Sequence, residues 1–266
     1  MNQAAWERSP LSQKLIVDLA KKGSAGLGEI IYLSETSSTN QRAKELIDEG
    51  KTSFAVITDF QNAGKGRLDR IWQAPKESSI LISMVEKLNG VSNPGWLNLW
   101  AATIVRRVLL ENFLFEIKLK WPNDLVVPNG NSFLKFGGIL SQIYKDQVIF
   151  GIGINYSQDQ NELPIVTATS LKLLTVQYRP REEVLADLIS TMHLNWQSEA
   201  ASSEFPTAAT VREYQAASHT MAKEVSVSLP NGKVITGIAE GLAANGALLV
   251  KTQSGEIHTI TAGDVN

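Results

Sequence analysis

An α+β fold is predicted, a mixed or antiparallel sheet with flanking helices followed by a small all-β barrel, and two observations predict it. From about residue 30 to about residue 155 the apolar period switches between strand-like and helix-like. The resulting order is strand, helix, strand, strand, helix, strand, strand, strand, which suits an α+β domain rather than a regular βαβ repeat. After about residue 220 the helical period is lost. Short apolar runs then alternate with the turn sequences Pro230-Asn-Gly232, Asn245-Gly246 and Ser254-Gly255, the pattern of a small barrel.

Residues 10–22 alternate apolar and polar at helical spacing until Gly23-Ser-Ala-Gly26 breaks the pattern, so 1–29 reads as a leader too short to fold alone. A strand is expected at Ile30-Ile-Tyr-Leu33. Ser37-Ser-Thr-Asn40 then caps a helix that Gln41 to Ile47 continues and Gly50 ends. Phe54 to Phe60 and Ser79 to Val85 are rich in β-branched and aromatic residues and read as strands. Leu97 to Asn112 is an amphipathic helix with Leu99, Trp100, Ile104, Val108 and Leu109 inward. Ile117 to Trp121 alternates as a strand and halts at Pro122, where a Pro-Asn-Asp turn leaves the sheet. Further strands are expected at 138–144 and 148–154 about a Lys145-Asp146 turn, and helices at 181–196 and 207–218. Barrel strands follow at 225–229, 234–239, 247–250 and 256–260. The division is therefore 1–29, 30–219 and 220–266.

At 266 residues the chain has ample core for one large domain plus a small one. A net charge of −2 makes no global case for DNA or an anionic membrane, so any positive field must be local. No cysteine is present, which excludes disulfides, thiolate metal sites and a Cys nucleophile. His193, His219 and His258 are scattered without metal-ligand spacing. The start has no signal-peptide pattern and no apolar run approaches a membrane span, so a cytoplasmic protein is expected.

The local positive field lies at Gln61-Asn-Ala-Gly-Lys-Gly-Arg-Leu-Asp-Arg-Ile-Trp72, a glycine hinge with three cations closed by an aromatic plate. Gly64 and Gly66 allow close backbone approach, Lys65, Arg67 and Arg70 offer charge to phosphate oxygens, and Trp72 offers a face for a base. The loop joins two strands. Gly66 stands where Walker A needs Ser or Thr, and Asp69 stands where the dinucleotide fingerprint needs a third glycine. A plain basic hairpin loop is the bland alternative. In Lys120-Trp-Pro-Asn-Asp124 an amide and a carboxylate follow a strand and could hold an adenine edge, a ribose or Mg²⁺, or form only a turn. Lys135 precedes two glycines that enter a strand, and Gly151-Ile-Gly-Ile-Asn155 ends another. Ser38, Thr39 and Asn40 either cap a helix or meet an anion.

Taken together, Ser38-Thr39-Asn40, Gln61 with Gly64-Lys-Gly-Arg67, Lys120 to Asp124, Lys135 with Gly137-Gly-Ile-Leu140, and Gly151 to Asn155 closely resemble the biotin protein ligases. Gly246-Ala-Leu-Leu249 and Ala262-Gly-Asp-Val265 extend the likeness into the small β domain. The resemblance implies a class II synthetase-like biotin/lipoyl ligase catalytic domain and an SH3-like barrel. It also implies a two-step reaction: biotin and MgATP give biotinyl-5′-AMP, and biotin then passes to a lysine of the biotin carboxyl carrier domain of acetyl-CoA carboxylase.

On the matching positions, the resemblance makes Arg67 and Lys135 catalytic. It makes Ser38, Thr39, Gln61, Gly64, Gly66, Arg67, Lys135 and Gly138 the biotin site. Lys65, Arg67, Arg70, Trp72, Asn123, Asp124, Lys135 and Asn155 become the ATP site, with Asp124 as Mg²⁺ ligand. Lys65, Leu68-Asp69 and Gln142 depart from the usual arginine, Arg-Gly and glutamate. About thirty residues precede the motifs, too few for the helix-turn-helix domain of bifunctional relatives, so no DNA partner is expected. A homodimer fits the family. Lipoate-protein ligases share the fold but lack the full motif set; a non-catalytic biotin-sensing regulator would not need both Arg67 and Lys135.

Overall fold

Seven strands, β1 (Ile30–Leu33), β2 (Phe54–Thr58), β3 (Ser79–Lys87), β4 (Lys118–Lys120), β5 (Asp124–Asn129), β6 (Ser132–Tyr144) and β7 (Gln147–Asn155), form one sheet in the order β1-β2-β3-β7-β6-β5-β4. The computed structural model describes residues 6–23, 28–68, 70–88, 91–200, 202 and 204–265. β1 and β2 run parallel and the other neighbours antiparallel, so the sheet is mixed.

Strand alternation decides what each face does. On β3 and β7, Ile80, Ile82, Met84, Val148, Phe150, Ile152 and Ile154 enter the main core. That core is roofed by α1 (Gln13–Gly23), α3 (Leu97–Asn112) and α5 (Arg181–Ala200), with α6 (Ala208–Ala217) against α3 and β4. The opposite face is covered over only part of its area, by α2 (Thr39–Asp48), whose Ala43, Leu46 and Ile47 pack on Phe54, Val56, Val85 and Ile149. Beyond α2, that face presents Gly138 on β6 and Gly151, Gly153 and Asn155 on β7, residues small enough to leave a trough. A single turn, α4 (Leu171–Leu174), links β7 to α5.

The leader is part of this domain. Trp6, Leu11, Ile16 and Ala20 are buried in the main core, and the Trp6 ring lies 5.0 Å from Tyr156. The Leu11 N–H donates to Asp59 at 3.1 Å, and Asp59 forms a buried pair with Arg181 at 3.0 Å.

The second sheet is antiparallel, in the order β11-β10-β9-β8-β12, from β8 (Glu224–Ser228), β9 (Val234–Leu242), β10 (Leu248–Lys251), β11 (Ile257–Ile260) and β12 (Asp264–Val265). It docks through the 243–246 turn. Trp96 Nε1 donates to the Ala244 carbonyl at 2.9 Å and Trp121 Nε1 to the Gly246 carbonyl at 3.1 Å. Among the described residues no helix is long and apolar enough to cross a membrane.

Three expectations change. Pro122, after a cis Trp121–Pro122 bond, does not end the sheet: residues 121–123 turn into β5, with Lys120 paired to Asp124. Ser38 stands at the N-cap of α2 but its side chain makes no cap hydrogen bond. The second sheet also gains β12, too short to show a period.

Candidate active site

The trough is the floor of a cavity of about 600 Å³. Its near wall is the start of α2. The orphan N–H of Thr39 donates to Gln61 Oε1 at 2.8 Å, so a side chain from the loop after β2 satisfies the helix start and leaves the Ser38 hydroxyl unused. Ser38, Thr39, Asn40 and Gln61 all line the cavity.

The basic loop folds over the floor as a tight hairpin. The Gly66 N–H donates to the Arg70 carbonyl at 2.7 Å, the Trp72 N–H to the Gly64 carbonyl at 2.9 Å, and Leu68 takes positive φ. Asp69 lies outside the described residues. Lys65, Gly66, Arg67, Arg70 and Trp72 line the cavity. Gly64 does not. It holds the base of the hairpin instead: a Cβ there would lie 2.6 Å from the Trp72 carbonyl oxygen, so a backbone approach, not a ligand, needs the glycine. The Trp72 indole lies on two floor glycines; a Cβ on Gly153 would sit 2.7 Å from its Cε2 and one on Gly138 would sit 3.4 Å from its Cζ3. Among the described residues its Nε1 is buried without a hydrogen-bond partner.

The mouth is ionic. Lys135 Nζ lies 2.6 Å from Asp124 Oδ1, with the two side chains 32% and 16% exposed, across the β5–β6 pairing. Lys135 also grips the far wall by backbone bonds, accepting from the Thr169 N–H and donating to the Thr167 carbonyl, which fixes the 164–169 segment over the cavity. Lys120 is buried beside them, its ammonium 4.8 Å from the Phe133 ring centroid. Burial pushes its pKa down, Asp124 pulls it up and Lys135 lowers it further. Asn123 Nδ2 donates to the Ile139 carbonyl at 2.8 Å, and its Oδ1 is 3.5 Å from Arg67. Asn155 lines the floor, but its amide donates to the Thr169 carbonyl and so also braces the roof.

Both loop arginines turn toward the second sheet. Arg67, 16% exposed, donates to the Gly263 carbonyl at 3.4 Å and lies 4.0 Å from Asp264; burial lowers its pKa, the two aspartates opposing. Arg70, 63% exposed, pairs with Asp264. Asp264 is thus a cavity residue from the small domain that the motif reading did not assign, although it lies within the quoted Ala262 to Val265 stretch. Asn40, expected to cap a helix or meet an anion but given no place in the biotin or ATP site, also lines the cavity. Ser83 behind them had a signal: a hydroxyl within the apolar run Ile80-Leu-Ile-Ser-Met-Val85.

The Mg²⁺ expectation for Asp124 meets a partner already in place. Its carboxylate is held by Lys135, and among the described residues no three His, Cys, Asp or Glu side chains lie close enough together to hold a metal. One carboxylate with neighbouring amides suits Mg²⁺ only when phosphate oxygens and water complete the octahedron.

Two family models match the chain. "Biotin/lipoate A/B protein ligase family" covers residues 32–159 and "Biotin protein ligase C terminal domain" covers 223–266. The biotin--[acetyl-CoA-carboxylase] ligase of Mycobacterium tuberculosis is 28% identical over 97% of this chain and 96% of its own length. The bifunctional ligase/repressor BirA of Escherichia coli is 26% identical over 90% of this chain and 74% of its own. Among solved structures, the biotin protein ligase of Aquifex aeolicus in complex with biotin and ATP superposes with TM-score 0.75 at 28% identity, over 90% of this chain and 98% of that one.

Proposed function

Because the chain belongs to the biotin protein ligase family and matches both its catalytic and its C-terminal domain, it is a biotin--[acetyl-CoA-carboxylase] ligase, and we propose that its reaction runs in the cavity between α2, the basic loop and the sheet. We place the catalytic domain at 30–219, with the leader packed into its core, and the small domain at 220–266. The observation that carries the site assignment is convergence: cations from residues 65–70, 120 and 135 meet hydroxyl and amide groups from 38–40 and 61 around one trough.

The first step brings a biotin carboxylate to the α-phosphate of ATP, two anions that repel. Arg67 and Lys135 would hold the carboxylate and the phosphate oxygens and stabilise the charge that gathers as the acyl–phosphate bond forms and pyrophosphate leaves. Lys135 would exchange Asp124 for the ligand anion. The freed Asp124, with Asn123 and the ATP phosphates, would hold Mg²⁺, which neutralises phosphate charge when bound. Ser38, Thr39 and Gln61, with the Gly66 and Gly138 backbone, would take the ureido ring. Trp72, from its seat on the floor glycines, would stack on the adenine, while Lys65, Arg70 and Asn155 would complete the nucleotide site. Loop closure would then keep water from the mixed anhydride.

In the second step a neutral lysine amine of a carrier domain attacks the biotinyl carbonyl, and AMP departs. No nucleophile of this chain is needed in either step. The assay is mass spectrometry of a biotin carboxyl carrier domain incubated with enzyme, MgATP and biotin or lipoate. Biotin should add and lipoate should not, and Lys135→Ala should slow transfer about a hundredfold, roughly 3 kcal/mol of transition-state stabilisation. An undiminished rate in that variant removes the role given to Lys135.

A further inference from the structure

We infer that Ser83, with Asn40 and Gln142 behind it, fixes the hydrogen-bond polarity of Thr39 and Gln61 and so makes the cavity wall selective for a cyclic urea. This rests on the ligase reading above, which places the ureido ring at that wall.

Ser83 is fully buried on β3. Its Oγ lies 2.6 Å from Asn40 Oδ1 and 2.7 Å from Thr39 Oγ1. One hydroxyl has one proton to place. The Asn40 amide is oriented by its nitrogen, which donates to the Leu140 carbonyl at 3.1 Å and to Gln142 Oε1 at 3.2 Å, so Asn40 Oδ1 can only accept. The Ser83 proton is therefore shared between two acceptors, Asn40 Oδ1 and Thr39 Oγ1.

Thr39 Oγ1 accepts from Ser83 and donates its own proton to Gln61 Oε1 at 3.1 Å. Both protons stay within the network, and what remains for the cavity on Thr39 Oγ1 is an oxygen lone pair. Gln61 is oriented in turn: its Oε1 already takes the Thr39 N–H at 2.8 Å, so the group it can offer is the amide Nε2. The wall thus presents one acceptor and one donor, the complement of an N–H beside a C=O. Gln142 fits this logic as a glutamate would, since either side chain gives Asn40 an acceptor oxygen. Ser83, Asn40 and Gln142 act here as positioning residues.

The test is a chemical double cycle on the full chain, with biotin-dependent pyrophosphate release as readout, using biotin and its two ureido N-methyl derivatives. Methylation removes the N–H that the Thr39 oxygen accepts. In the wild type, one of the two derivatives should raise KM at least about thirtyfold, as for a buried acceptor left unpaired. Ser83→Ala frees the Thr39 hydroxyl to turn. It should raise KM for biotin about tenfold, leave KM for ATP within about twofold, and shrink the methylation penalty to about threefold. A merely structural role would lower activity toward all three ligands alike and leave the penalty whole. That outcome, or an unchanged KM for biotin, overturns the inference. If Ser83→Ala does not fold, Gln142→Met removes one of the two acceptors that orient Asn40, from a half-buried position, and the penalty must shrink there or the inference is wrong. Wild-type protein without biotin-dependent turnover sinks the ligase reading itself; an active wild type whose penalty survives in both variants sinks only the inference.

Discussion

At Gly153 a single hydrogen in place of a methyl group decides whether Trp72 can rest on the sheet. A Cβ there would lie 2.7 Å from one indole atom and 2.9 Å from the next, inside any real contact distance, and the position is central on β7, so the strand cannot move away. The indole must yield instead. Gly153→Ala should therefore fold, because alanine suits the backbone, and should lose about tenfold in kcat/KM for the first step as Trp72 is displaced. Overpacking of this kind corresponds to roughly 1–3 kcal/mol. Gly241→Ala in β9 is the matched control, since nothing lies within 4 Å of a Cβ built there. Equal activity of the two variants would show that the Trp72 seat does not matter to the reaction.

Where elements meet, β3 and α5 are joined through Glu86 and His193, 2.6 Å apart with 1% and 4% of each side chain exposed. Burial pushes the Glu86 carboxyl above its ordinary value, while the His193 hydrogen bond pulls it down by less. A folded pKa above the unfolded one means stability that is full below the ordinary glutamate value and is lost as pH rises through the raised one. Glu86→Gln keeps an acceptor for His193 but does not titrate. Its Tm relative to wild type should climb from about pH 4 to about pH 7; a flat difference would assign the ionised carboxylate no such cost. Neither partner betrays the other in the sequence, because 107 positions separate them. What the sequence does reveal is local. The helix over Leu97 to Asn112 is legible to its ends, since Leu99, Trp100, Ile104, Val108 and Leu109 form one buried stripe. The basic loop is legible because glycines and cations cluster in few residues. β5 is hidden because Pro128 and Asn129 lie inside it and Asp124 opens it, residues that otherwise mark turns. Ser83 is visible as an intruding hydroxyl, but its partners on α2 depend on how the helix crosses the sheet.

Across the whole molecule, the small domain contributes to the cavity, since its last strand places Asp264 against two arginines of the basic loop, 194 positions from Arg70. No local pattern could announce that pairing, which depends on how the second sheet docks, with Trp96 and Trp121 holding the 243–246 turn. Two roles for Asp264 predict opposite results. If it holds Arg67 and Arg70 where nucleotide phosphates will meet them, Asp264→Ala should raise KM for ATP about tenfold and leave KM for biotin near wild type. If it competes with phosphate for the same guanidinium groups, KM for ATP should fall. We expect the rise, because the Gly263 carbonyl also holds Arg67 and neither oxygen need leave when a phosphate arrives on the other side of the guanidinium. Thermal stability should hardly change, since Arg70 is 63% exposed and such a pair contributes at most about 1 kcal/mol. Steady-state kinetics with ATP varied at saturating biotin, alongside a melting curve, separates the cases: a lower KM for ATP at unchanged Tm would make Asp264 a rival of the substrate rather than its guide.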